Sequence, residues 1–588
     1  MQQTQIFERS NKILTRKMRQ YLVPTMVTMA ALSLNEFLDS MMVSVLLDSQ
    51  ALAIVNLGLP VMLCMAAVYA LLGNGGATLY AICIGKRDME TAGKIFKVSF
   101  ITGLTSGLLF LILGILFLEP LANILCSDTS LLPMFRSYLR ALLISAPFLT
   151  TILTFVEFLT PSGAPAIATA VNIVANGIGV GMDYVYIKFF DMGVNAAAWA
   201  TLTGYSIAAL LIAYVLLAKK VNIYQSKVAF SDFSLLGEIV KLGGPSAISQ
   251  FGFSLKFAFC NNLAITYGGA AGVVSYSLCN QVDSVISIFL AAIAGSSMPL
   301  IAILHGQRDF RGETEVLKTA LKYQFIVSVT AFTVFSLFPG QVAKIYNITN
   351  PAEIELAITA IRIFVILYLF RGFYMIFMKY LQVLKMTTYA MLISIFDGFA
   401  GIIPLSFIMC HLFGITGLWF SFGLNACIIL TVVIFTNKRI ARKSDGALSG
   451  ILLTAHEDIA DATFDITIQD DDSNISKASK ELMNFCLTHD MDTKSATYAS
   501  LAIEEMAIYT KNHMARNDYM DILARLYEER IEIEFRTLGN TFNPLEITEK
   551  DVAENIKLLQ GISTTMEYNY IMGMNCTQLC IKKKGNCC

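Results

Sequence analysis

Charge is scarce in this chain. Only 15% of its 588 residues are Asp, Glu, Lys or Arg and 55% are hydrophobic, whereas soluble domains usually run near a quarter charged. A purely soluble protein is therefore excluded. The twelve cysteines include no CxxC pair, which argues against a zinc site or a disulfide framework. Cys64, Cys83, Cys126, Cys260, Cys279, Cys410 and Cys427 lie in or beside apolar runs. Cys576 and Cys580 fall in a strand-like run and read as buried small hydrophobes. No GxxxxGKS or GxxxxGKT loop occurs, so pumping powered by ATP is not expected. The polar, basic N-terminus leads into an apolar run without a small-residue cleavage site, which reads as a retained first span.

What charge there is divides unevenly. Residues 1–443 carry 30 basic and 20 acidic side chains, and residues 444–588 carry 13 and 24. Charge density rises from about 11% to about 26% across that break, the second value being ordinary for a globular domain. The first module suits lipid and the second suits water. Crossing the hydrocarbon takes about 20 apolar residues, and runs of that kind between 22–47 and 415–436 predict an all-α polytopic protein of about twelve spans, followed by an α/β two-layer sandwich. The expected divisions are 1–21, an N-terminal segment; 22–218, a first six-helix lobe; 219–235, a linker; 236–443, a second lobe; 444–461, a second linker; and 462–588, the appended domain.

Basic clusters mark cytoplasmic loops. Arg9, Lys12, Arg16, Lys17 and Arg19 precede span one, Lys86, Arg87, Lys94 and Lys97 follow span two, and Lys438, Arg439, Arg442 and Lys443 follow span twelve. An even span count with both termini cytoplasmic satisfies all of them, placing the protein in the cell membrane. The halves also repeat. Ile84-Gly85-Lys86-Arg87-Asp88 is echoed 221 residues later by His305-Gly306-Gln307-Arg308-Asp309, and Gly193-Val194-Asn195-Ala196 by Gly414-Ile415-Thr416-Gly417 at the same offset. Six spans separate the copies, so they share one topology, a parallel repeat of the kind found in transporters.

Ionisable side chains at membrane depth cost about 2.5 to 3.5 kcal/mol each. Glu36 and Asp39 in span one, Glu157 in span four, Asp183 in span five, and Lys256, Asp283, Arg362, Arg371 and Asp397 in the second half each need a reason. Asp39 lies mid-span with Asn35 one turn before it, a position suited to a cation or a proton. Glu36 either partners it or faces the lobe interface. Asn172, Asn176 and Asp183 share one helical face, which lines water or an ion unless the asparagines merely bond to neighbouring helices. The repeat carries Asp39 onto Cys260 and Asp183 onto Pro404, so both acids belong to the first lobe alone.

Asn35-Glu36-Phe37-Leu38-Asp39, the turn from Gly73 to Gly76 leading to Gly85, Asn172 through Asp183, and Gly193 to Thr201 resemble the multidrug and toxic compound extrusion (MATE) transporters, over residues 15 to 440. The resemblance implies a V-shaped, two-lobed antiporter that exports amphipathic organic cations in exchange for H⁺ or Na⁺ and holds no other cofactor. It implies a first-lobe ion site at Asp39, Asp183 and Thr201. The family's span-five asparagine is matched only out of step, by Asn176, because Gly179 stands one turn before Asp183. Where some relatives carry acids in spans seven and ten, this chain has Gln250 and Arg371, so no second-lobe coupling site is expected. The alternatives are a flippase for lipid-linked oligosaccharides, kept open by Lys256, Arg362 and Arg371, and a membrane sensor with a signalling tail.

In the tail, Ala502-Ile503-Glu504-Glu505 with His513, and the loop from Arg536 to Pro544, resemble the ATP-binding fold of anti-sigma-factor kinases and histidine kinases. Glu505, Gly539 and Asn543 correspond to a vestigial nucleotide site. Tyr509 stands where that family's metal-holding asparagine belongs and Thr537 where its adenine-reading aspartate belongs, so the resemblance implies a degenerate regulatory domain with a cytoplasmic protein partner rather than an ATPase. A monomer without nucleic-acid partners is expected.

Overall fold

A bilayer offers no water to satisfy backbone N–H and C=O groups, and only a helix closes those bonds within a single segment. The apolar runs are accordingly helical. The computed structural model describes residues 9–47, 49–126, 131–218, 223, 226–345, 351–444, 448–455, 462–469, 472–511, 518–546 and 550–583. Among these, ten helices are long and apolar enough to cross a membrane, the first being Leu57–Gly85 and the last Ile415–Lys443. The remaining two expected spans are helical as well. Residues 22–47 fall largely in the helix Lys12–Leu46, and 236–265 in Leu235–Gly306, which breaks at Gly269 with φ 58°. Exposed Leu109, Ile112, Leu113 and Leu116 on one of the ten present an apolar surface to the surroundings.

The chain divides into a membrane unit, Gln20–Lys443 with Gly450–Leu453, and a C-terminal unit, Met1–Arg19 with Ser444–Ser449 and Thr454–Cys588. Within the membrane unit the sequence repeat has a structural counterpart. Arg87 and Arg308 both adopt positive φ, at 62° and 59°. The next residue then caps a helix in each copy, Asp88 accepting from Thr91 N and Asp309 from Gly312 N, both at 2.9 Å. Gly193 and Gly414 likewise share φ near 60°, at 57° and 62°. These turns need positive-φ residues at matching points, which accounts for the matching motif in both halves.

Equivalent glycines also bring the halves together. A Cβ added at Gly85 would meet the Ile303 carbonyl and lie 2.9 Å from Gly306 Cα, while one at Gly306 would meet the Ile82 carbonyl. Gly75 and Gly243 repeat this approach of backbone to backbone, Gly243 against the Leu71 carbonyl. Two π-helical turns interrupt the spans, Ala70–Asn74 and Phe396–Ala400. Such turns widen a helix by one residue and redirect the side chains that follow.

In the C-terminal unit β1 (Leu448–Ser449) and β2 (Thr454–Ala455) form a short hairpin. β3 (Ala462–Gln469), β4 (Tyr519–Leu526), β5 (Arg530–Leu538), β6 (Thr565–Ile571) and β7 (Met574–Lys582) form one antiparallel sheet in the order β3-β4-β5-β7-β6. Strand alternation gives that sheet two different faces. Ile466, Ile522, Ile533, Phe535 and Leu579 share a core with Ala478, Leu482, Ile503, Met506 and Leu559 from three helices, Asp472–Thr488, Thr493–Lys511 and Lys550–Ile562. Cys486 is buried in the same core, and burial pushes its thiol up to about 12.

The other face is polar, and the N-terminal segment is bound to it. Arg9 lies 3.6 Å from Asp465 and 3.8 Å from Asp521, Ser10 N donates to Thr467 Oγ1 at 2.8 Å, and Arg16 pairs with Asp518 at 2.9 Å. Lys12 Nζ donates to the Tyr519 hydroxyl at 2.7 Å. The boundary between the units falls between Arg19 and Gln20, and residues 9–19 belong with strands more than 440 positions away.

Candidate functional site

In the first half, the helix Pro165–Lys188 carries the predicted polar face. Asn172 and Asp183 are buried, at 6% and 3% exposure. Asn172 donates its amide to the Ala168 carbonyl and Asn176 to the Asn172 carbonyl, which is the own-helix bonding that long polar stripes adopt in apolar surroundings. The facing helix Asn195–Leu217 approaches closely because Gly204 has no side chain; a Cβ there would meet the Ala175 carbonyl. The Thr201 hydroxyl is committed to Ala197 O at 2.9 Å. Glu36 and Asp39 lie within the helix Lys12–Leu46, but their side chains fall outside the described residues. That helix is joined to the polar helix at Pro24, whose carbonyl accepts from Thr28 Oγ1 and from Thr169 Oγ1, at 3.0 and 2.9 Å.

The second half gathers four of the unexplained charges around one cleft, lined also by Phe253, Phe257, Tyr276 and Phe364. Arg371 is paired with Asp283, which also accepts from the Tyr368 hydroxyl at 3.0 Å. Asp397 accepts from the Tyr374 hydroxyl at 2.6 Å, with Lys256 Nζ 3.9 Å from its carboxylate. Two acids and two bases balance. Asp397 lies in the π-helical turn Phe396–Ala400. Arg362, by contrast, is exposed.

A further cavity opens between the halves, lined by Asn74, Thr78, Glu157 and Thr160 from the first and by Lys379 and Gln382 from the second. Lys379 Nζ donates to Asn74 Oδ1 at 2.8 Å and to Ser246 Oγ at 2.9 Å. Sequence reasoning missed Lys379. The signal for it was one basic residue near the end of the apolar run 354–380, where snorkelling to the interface is the ordinary expectation.

In the C-terminal unit the predicted nucleotide residues are spent on loop structure. Gly539 adopts φ 129° and its carbonyl accepts from the Tyr570 hydroxyl, and Asn543 Oδ1 accepts from Leu545 N. Tyr509 packs edge-on against Phe542 at 5.9 Å, and Phe542 lies tilted against Tyr568 at 6.4 Å. Burial pushes the Tyr568 phenol up. Glu505 is half-buried on the Tyr509 helix, one turn away. Aromatic rings therefore occupy the region between this helix and the 539–546 loop. Among the described residues no cluster of three or more His, Cys, Asp or Glu has the makings of a metal site.

The geometry agrees with what known proteins show. The family model MatE matches residues 24–185 and again 245–408, two segments that begin 221 residues apart and cover more than half of the chain. The multidrug export protein MepA of Staphylococcus aureus (strain MRSA252) is 24% identical over 425 residues, covering 72% of this chain and 93% of the relative. MepA of Staphylococcus haemolyticus is 23% identical over 422 residues, 72% of this chain and 92% of that one. Among solved structures, an outward-facing multidrug resistance MATE family transporter of the MOP superfamily superposes with a TM-score of 0.67 at 24% identity, covering 73% of this chain and 96% of that chain. A family model that recurs at the spacing of the internal repeat, on helices that turn and cap alike in both halves, leaves one assignment: the chain belongs to the MatE family, and it is a multi-pass membrane transporter rather than an enzyme.

Proposed function

We propose that this protein is a secondary antiporter that exports amphipathic organic cations in exchange for H⁺ or Na⁺, through twelve spans with both termini in the cytoplasm. The observation that carries this reading is Asp183, a carboxylate 3% exposed on a helix tied to the first span at Pro24. Asp39 on that span and Thr201 opposite complete the proposed coupling set, with Asn172, Asn176 and Glu36 around it. A carboxylate in low dielectric favours its neutral form unless a cation compensates it, so loading with a proton or Na⁺ and loading with an organic cation exclude each other. A one-for-one exchange moves no net charge, so the concentration gradient of the coupling ion drives it, each tenfold ratio being worth about 1.4 kcal/mol. The names of the MepA relatives support multidrug export as the activity.

Lys256 and Arg371 are each tied to an aspartate, which removes the free cationic cleft that an anionic lipid-linked substrate would need. The tail is assigned as a degenerate regulatory domain, a reading supported by the Tyr509–Phe542 packing in place of a metal ligand. The test is reconstitution into liposomes with imposed H⁺ or Na⁺ gradients. Ethidium efflux should follow one of the two gradients and fall at least tenfold in Asp183→Asn and Asp39→Asn; efflux at the unmodified rate in both variants would refute the assignment.

A further inference from the structure

Lipid covers the apolar faces of a membrane protein, but one stretch of this surface is recessed and ends in polar groups. A groove of about 580 Å³ runs between the helix Thr387–Ile395 and the last span, Ile415–Lys443. Tyr389, Leu392 and Phe396 form one wall and Val432 stands in the other, all four exposed. Hydrocarbon fills such a recess without a specific partner. Towards the C-terminal end of the span the lining turns polar, with Thr436 and Asn437. Asn437 is 1% exposed, and its amide is only half used. Nδ2 donates to the Ile451 carbonyl at 2.9 Å, whereas Oδ1 is buried without a hydrogen-bond partner among the described residues. The Ile451 carbonyl can only accept, so the atom on it is the nitrogen and the idle atom is an acceptor. An acceptor buried at the lining of an apolar groove calls for a hydroxyl or an N–H.

Cations follow in line. Helical residues three, four and seven positions apart share a face, which sets Arg439 and Lys443 on the face of Val432 and Thr436, just past the polar end of the groove. Both are exposed, and among the described residues neither has an ion pair. Lys385, beside the neighbouring helix, is already paired with Glu238 at 3.0 Å. Lys438 and Arg442 project from the other side of the last span. The helix dipole favours cations at a C-terminus on any face, so it does not account for the alignment of two of them with the groove. Basic recesses between spans at the membrane surface hold anionic lipid headgroups. The three features together complement a single lipid, with an acyl chain in the groove, its phosphate on Arg439 and Lys443, and a headgroup hydroxyl on Asn437.

We propose that this groove is a binding site for an anionic glycerophospholipid with a hydroxyl-bearing headgroup, taken from the leaflet at the basic end of the last span. Binding is separable from export, because it is read without an ion gradient. The probes are phosphatidylglycerol, phosphatidylethanol, which keeps the anionic phosphate and lacks the headgroup hydroxyls, and zwitterionic phosphatidylcholine, all with identical acyl chains. Native mass spectrometry of the detergent-solubilised full chain, titrated with each lipid, gives the Kd values. Phosphatidylglycerol should bind about thirtyfold more tightly than phosphatidylcholine, the effect of two cations at the surface, and about fivefold more tightly than phosphatidylethanol, the effect of one hydrogen bond. Arg439→Gln with Lys443→Gln should remove most of the first preference, whereas Lys438→Gln with Arg442→Gln, on the other side of the helix, should leave it intact. Val432→Trp fills the groove at an exposed position without touching a charge, and should weaken phosphatidylglycerol by roughly tenfold. Equal binding of phosphatidylglycerol and either comparison lipid overturns the proposal. So does an equal loss in the two charge-removed pairs, which would show only the general attraction of a basic surface, or unchanged phosphatidylglycerol binding in Val432→Trp.

Discussion

The two units of the chain bury charge by opposite strategies. In the membrane unit the second-half cleft pairs charges from different helices: Asp283 with Arg371, and Lys256 with Asp397 in a π-helical turn. In the C-terminal unit they form a ladder on one face of a sheet. Asp465, Thr467, Asp521 and Arg536 alternate with core residues, and Arg536, fully buried, is paired with Glu534 two residues away on the same strand at 2.7 Å. A helix in lipid presents a charge to one neighbour. A strand presents a row of them, and that row recruits residues 9–16 from the opposite end of the chain. The difference teaches that these membrane-unit charges are compensated from one helix to another, while those of the C-terminal unit are compensated along and across a sheet.

The comparison breaks most readily at Asp283. Asp283→Ala strands the Arg371 guanidinium inside the bundle and should cost about 3 to 5 kcal/mol, whereas replacing both partners by apolar residues of similar volume should recover most of the loss. Thermal unfolding of the detergent-solubilised protein measures both variants, and a double variant as unstable as the single would mean the pair has a role beyond mutual compensation.

A second contrast lies at Lys17, on the segment bound to the sheet. Burial lowers its amine to about 8, Cys576 opposing and Arg16 reinforcing the effect. The folded form therefore binds its proton less tightly than the unfolded chain does, so this contribution to stability is smallest below pH 8 and grows as pH rises from about 8 to 10.5, by up to about 3 kcal/mol. Hydrogen-exchange protection of residues 10–19 should rise over that window, and Lys17→Met should flatten the dependence. Protection that falls instead would show that the charged amine is the bound form.

The smallest effect compares the two copies of the repeat. Asp88 and Asp309 cap equivalent helices, but Asp88 is exposed and Asp309 is 1% exposed. Removing an N-cap costs about 0.5 to 2 kcal/mol, so Asp309→Ala should fall at the upper end of that range and Asp88→Ala at the lower, in the same unfolding measurement. Equal losses would mean that burial adds nothing to the cap.

Much of this was legible along the chain. The 221-residue repeat is visible because both copies need an αL residue followed by a capping aspartate, a constraint expressed in consecutive residues. The strands of the tail follow from alternation, and the helix carrying Asn172, Asn176 and Asp183 from its spacing. Other features were hidden. Nothing near Arg9 announces Asp465 and Asp521, and a basic cluster before a span has the same composition whether it is solvated or bound. Lys379 reads as an interfacial lysine until the opposite half supplies Asn74.

The sequence by itself determined which segments meet lipid and which meet water, that the transporter body is built twice, and which acids are out of place in an apolar helix. These are properties of composition and of spacings within one turn or one strand, which the chain fixes wherever it lies. Only the tertiary structure decided which charges are paired and with what. That depends on distances between segments 88 to 305 residues apart, which bring Arg371 onto Asp283 and Lys379 onto Asn74.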